Sequence, residues 1–115
     1  MERHLSADAF LALDPAVARS NVDWFDVSLM LQGNGRVWNI GDTSFVFTIV
    51  NEDDEIEVLL AGGRMAADCV GPWEAAMVAH PAHRGLTLRV DGRKGWRRLL
   101  KHWDCDENGV LTLKV

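Results

Sequence analysis

Hydrophobic and polar positions divide the chain into a helical front, a β-rich middle and a mixed C-terminal third. Residues 6 to 19 open with Ser6 as a helix N-cap and the apolar set Phe10, Leu11 and Leu13. Asp14-Pro15 interrupts the pattern and predicts a helix restarting with Pro15 in its first turn. A second helical set follows, Val22, Phe25, Val27, Leu29 and Met30, starting near Asn21 or Asp23 and ended by Gly33-Asn34-Gly35. The period then changes. Val37 to Ile40 alternates, Gly41-Asp42 punctuates, and Phe45 to Val50 is a continuous run of β-formers, as in a strand covered on both faces. Glu55-Ile56-Glu57-Val58-Leu59-Leu60 alternates and then becomes wholly apolar. These three segments predict an antiparallel meander.

After Gly62-Gly63 the pattern is less regular. Residues 64 to 72 suit a short helix or an irregular loop. Trp73 to His80 reads as a strand stopped by Pro81, although Ala-rich runs also suit helices. Across residues 86 to 103, Leu88, Trp96, Leu99, Leu100 and Trp103 share one helical stripe with basic residues flanking it, which predicts a single helix weakened by Gly92 and Gly95. Alternation in Leu86 to Val90 supports the alternative, a strand followed by a short helix. Asn108-Gly109 turns into a last strand, Val110 to Val115. The expected architecture is α+β (α/β): one domain of 115 residues built on one mostly antiparallel sheet.

Charge alters this picture only locally. The net charge of −5 argues against general nucleic-acid binding. Yet residues 84 to 103 hold seven basic side chains against Asp91, a local +6 that leaves −11 on the rest, with an acidic peak at Glu52 to Glu57. The two thiols, Cys69 and Cys105, have no motif spacing and read as reduced. No apolar run approaches the ~20 residues that span a bilayer, and the N-terminus has no signal-peptide pattern, so a cytoplasmic or intra-particle location is expected.

Several motifs fail on their chemistry. Asp104-Cys105-Asp106-Glu107-Asn108-Gly109 matches the front of a calcium loop, but the twelfth position, which requires a bidentate Glu, is Val115. A polar turn is the better reading. Gly33-Asn34-Gly35 follows a helix and has Trp38 where a dinucleotide fingerprint needs glycine. His80 and His83 have no third metal ligand at a readable spacing, and no serine lies in a nucleophile elbow.

One stretch remains, residues 75 to 100. A strand ending at His80-Pro81, then Arg84-Gly85, then a helix, would place free N–H groups at a helix N-terminus, a geometry that binds phosphate. Pro81 cannot pair in a sheet, so the strand would splay and expose backbone to an extended ligand. The bland reading is an ordinary connection beside a solvated basic face.

Residues Trp73-Glu74 through Pro81-Ala82-His83-Arg84-Gly85 resemble the central strand and cofactor loop of GNAT-superfamily N-acetyltransferases, closest to the small GNAT-like proteins of bacteriophage and prophage genomes. Leu88-Arg89, Gly92-Arg93, Leu99-Leu100 and Lys114-Val115 fall in the same order, over about residues 37 to 115. The resemblance implies a GNAT-like sheet, truncated after the fifth strand, with acetyl-CoA as cofactor. It implies that Val78, Ala79 and His80 offer backbone to pantetheine, and that Arg84, Gly85 and Leu86 offer N–H groups to the pyrophosphate. The loop departs from the family pattern: Thr87 and Arg89 stand where small residues belong, and Ala76 stands where the phage-type proteins carry His. No general base is assignable; Glu57 and Glu74 are the carboxylates on expected strands. Two functions follow: an acetyl-CoA-dependent N-acyltransferase, or a non-catalytic structural or interaction protein of a phage particle, self-associating or bound to other structural proteins.

Overall fold

The computed structural model describes residues 5–40, 44–63, 67–91 and 94–115. Each helix begins where the sequence supplies a cap. The Ser6 hydroxyl accepts the Ala9 N–H at 3.1 Å and starts α1, Ala7–Ala18. Asp23 and Asp26 form a reciprocal capping box that starts α2, Trp24–Gln32, which ends at Gly33. α1 runs straight through Pro15. The proline removes the bond to the carbonyl of Leu11, a residue 69% exposed, where water can replace it.

The meander follows as expected: β1 Gly35–Ile40, β2 Ser44–Val50 and β3 Glu55–Gly62, successively antiparallel. Asn51 shapes the β2–β3 turn, its side-chain oxygen accepting from the Asp53 and Glu55 N–H groups. Beyond β3 two expectations are overturned. Residues 67 to 79 form helix α3, Ala67–Ala79, so Trp73 to Ala79 is not a strand. Val70, Trp73 and Met77 are buried, at helical spacing, and the alanines between them suit a helix. A 3₁₀ turn, Pro81–His83, then leads to β4, Thr87–Asp91. The single helix expected over 86 to 103 is therefore a strand followed by α4, Lys94–Leu99, the alternative reading. Leu88 and Val90 are buried, Thr87 and Arg89 less so: alternation at period two decided the matter. The chain closes with a hairpin of β5, Asp104–Cys105, and β6, Val110–Lys114. The described residues therefore form six strands, not the five expected.

The sheet is mixed, with order β1-β2-β3-β4-β6-β5. Among the described residues only β3 and β4 run parallel, joined by the crossover through α3. α1 and α2 pack on one face around Leu13, Val27, Phe45 and Phe47. α3 and α4 pack on the other, around Val46, Ile56, Trp73, Leu88 and Trp103. The protein is thus a compact α+β fold, three layers deep, with a radius of gyration of 13.2 Å. Among the described residues no helix is long and apolar enough to cross a membrane.

Candidate functional site between β3 and β4

β3 changes character midway. Glu55 to Val58 pair with Thr87 to Val90 of β4, and the ladder stops there. On its other edge β3 pairs Val58 with Thr48 and Leu60 with Phe47, so Leu59 has no partner: it is a β-bulge. The bulge turns the strand over. Ile56 and Val58 face the α3 side, while Leu59 and Leu60 both pack toward α1 and α2. A bulged strand bends and twists more strongly, and here the bend coincides with the last β3–β4 pair. Leu59 to Gly62 therefore diverge from β4, and their β4-side edge has no ladder partner among the described residues.

The divergence leaves a cleft of about 130 Å³. Its walls are Val58 to Ala61 on β3, Val90 and Asp91 on β4, Trp96 of α4, and Ala16, Arg19 and Ser20 at the end of α1. Two features hold it in shape. Gly62 lies so close to α1 that a Cβ there would stand 1.9 Å from the Ala12 carbonyl oxygen. Below the cleft, Arg89 donates to Glu55 at 3.3 Å and lies 4.0 Å from Asp91, tying the paired halves together. Burial opposes the charge on Arg89, but the bond to Glu55 and the field of Glu55, Glu57 and Asp91 outweigh it and raise its pKa.

The cleft is a binding shape more than a catalytic one. The Ser20 hydroxyl is engaged locally: it lies within donating distance of the Val17 carbonyl at the end of α1 and of the Val22 carbonyl, and it accepts the Val22 N–H. Arg19 and Asp91 are the charged residues on its walls. Neither expected carboxylate serves it. Glu57 accepts from Asn51 at 3.0 Å. Glu74 sits on α3, accepting from His102 and from the Trp103 indole. Cys105 is an exposed free thiol, and no group of three metal-ligating side chains occurs among the described residues.

The residues expected to bind cofactor lie elsewhere and are differently occupied. Val78 and Ala79 belong to α3, whose backbone groups bond along the helix rather than to an extended ligand. The His80 carbonyl accepts the His83 N–H, and the His80 ring accepts from Ala82. Arg84 and Leu86 donate their N–H groups to Pro81 and His83. Gly85 adopts φ +83°, a turn conformation. The proposed pyrophosphate loop is thus a compact turn closed on itself. His80 and His83, with ring centroids 4.8 Å apart, cluster on Trp38 instead. Buried His83 bonds the Met77 carbonyl through Nδ1 at 2.7 Å. Burial pushes its pKa below the usual imidazole range, His80 and Arg36 push the same way, and the Met77 bond opposes them.

The calcium-like segment is a turn. Asp106 accepts from Asn108 and Val110, and Gly109 has φ +84°. The cleft itself was missed from the sequence, although one signal marks it: alternation over 55 to 58 gives way at Leu59-Leu60, before Gly62-Gly63. No family model, curated protein or solved structure matches the chain.

Proposed function

We propose that the chain is a GNAT-like protein that takes the pantetheine arm of acetyl-CoA between β3 and β4 and transfers the acyl group to an amine. The observation that carries this reading is the parallel ladder ending at Val58–Val90, at a bulge, while β3 continues to Gly62. A strand edge with open amide groups is what an extended, amide-bearing ligand pairs with. The cleft suits a slender arm rather than a whole nucleotide. Val58, Val90 and Trp96 would wall it, and the backbone of Leu59 to Ala61 would line it. β3 also runs toward the start of α3, and a helix start favours phosphate. Residues 64–66, between them, lie outside the described residues.

When bound, acetyl-CoA would supply the thioester: the amine nitrogen forms the new C–N bond, the C–S bond breaks, and CoA leaves as the thiol, taking up the one proton the nitrogen gives up. This chain's contribution is placement: the strand edge orients the arm between β3 and β4. Calorimetry with acetyl-CoA tests the reading. Ala61→Phe, which fills the cleft, is expected to weaken binding at least about tenfold while the circular dichroism spectrum is unchanged. Absence of heat at high micromolar ligand overturns the proposal. So does binding that survives Ala61→Phe and is lost in Arg84→Ala, which would return the ligand to the 80–86 turn.

A second reading, an interaction protein on the same scaffold, is favoured by bulky side chains left in solvent on α1 and α2.

A further inference from the structure

We propose that the outer face of the α1–α2 pair docks onto the α3–α4 face of a second copy of this chain, giving a head-to-tail stack. The inference is independent of ligand binding in the cleft.

The first surface is bulky and apolar. Phe10, Leu11, Phe25 and Leu29 are 40%, 69%, 69% and 53% exposed. Phe10 stacks on Trp24 with ring centroids 4.5 Å apart, which joins the two helices into one surface. Isolated exposed apolar side chains are ordinary, but four on one helix pair mark an interaction face. Its rim is acidic: Asp8, Asp14, Asp23 and Asp26. The partners of three are neutral donors, the Trp24 indole for Asp14 and backbone N–H groups for Asp23 and Asp26. None of the four is in an ion pair among the described residues.

The opposite face of the sheet presents the complement. α3 exposes Pro72, Ala75, Ala76 and Ala79, short side chains that make a flat apolar strip, with Val78 42% exposed beside them. α4 lies against α3 through the Trp73–Trp96 contact. It and the turn after it expose Arg97, Arg98 and Lys101, none of them in an ion pair among the described residues. Large side chains can seat on the flat strip while carboxylates meet cations at the edge.

The sheet separates the two faces, so they meet only between molecules. A two-fold pairing of α1–α2 faces would bring the acidic rims together, which disfavours it. The complementary contact is heterologous and repeats from copy to copy.

Sedimentation of the full chain over a range of concentrations tests this. Average mass is expected to rise with concentration and fall with added salt. Phe25→Glu on one face, or Ala75→Glu on the other, is expected to raise the dissociation constant about a hundredfold, leaving folded monomers. Mixed in equal amounts, the two variants each retain one intact face and are expected to form a one-to-one dimer and nothing larger. Both sites are exposed, so helix content by circular dichroism remains that of the parent. Leu29→Lys and Arg98→Glu provide a second pair with the same expectation. A wild-type monomer at every concentration overturns the proposal. A dimer that survives Ala75→Glu overturns it also, as does a wild-type chain that stays monomeric alone and assembles only with a basic peptide.

Discussion

The two halves of β3 show how one strand can be both fastener and opening. From Ile56 to Val58 it is paired on both edges, and the segment is clamped by Arg89. Past the unpaired Leu59, from Leu60 to Gly62, it is paired on one edge, inverted by the bulge, and held by α1 instead of β4. The first half alternates glutamate with apolar residues and the second is wholly uncharged. What separates the halves is one extra residue, which exchanges the face each side chain presents. The difference teaches that an open strand edge inside a sheet needs an anchor on another layer, and here Leu60 and Gly62 provide it.

The largest expected effect comes from removing that difference. Deleting Leu59 restores regular pairing with β2 and leaves Leu60 toward the α1–α2 cluster, but strips the Leu59 side chain from that cluster and removes the bend. Urea denaturation should show a loss of about 3 kcal/mol. Gly62→Ala attacks the anchor alone. Its new methyl group meets backbone rather than a movable side chain, and a loss of about 2 kcal/mol or more is expected by the same measurement. Arg89→Met loosens the fastened half. The pair is partly solvated, so the cost is about 1 kcal/mol or less. Hydrogen exchange should accelerate at Arg89 and Val90 while the β1–β2 amides stay protected.

The smallest effect concerns pH and lies outside β3. His83 has its folded pKa depressed by burial, so its contribution to stability is full above the ordinary imidazole range. As pH falls through that range the unfolded chain takes up the proton first, and stability declines. His83→Gln keeps a donor for Met77 and removes the titration. Between pH 7.5 and 5.5 its urea midpoint should fall less than that of the parent; an equal fall assigns the pH response to other groups.

The front of the molecule was legible because its signals are local. Ser6 and Gly33 cap the helices they were expected to cap, Asp23 is the N-cap of the two candidates Asn21 and Asp23, and Phe45 to Val50 is a strand between two others. The C-terminal third was misread where two periods compete. In 73 to 79 the alanines fit either state, and only Val70, Trp73 and Met77 taken together show helical spacing. In 86 to 91 a weak helical stripe through glycines competes with the alternation of Leu88 and Val90, whose burial depends on pairing with β3 across the α3 crossover. That parallel pairing is long-range, so no window of neighbouring residues encodes it. The cleft shares this origin: its walls come from α1, β3, β4 and α4, and only the change of rhythm at Leu59 hints at it. Charge segregation, by contrast, was visible from the start, since it needs only the sequence.

Five tryptophans and no tyrosine give this molecule an unusual optical simplicity. Trp96 borders the cleft, its ring centroid 5.9 Å from that of Trp73, which in turn stacks on Trp103 at 6.2 Å. Excitation absorbed anywhere in this trio can migrate within it, and one member meets whatever enters between the strands. Emission colour and quenching would therefore register an arriving guest without any label, so the protein carries its own gauge of occupancy.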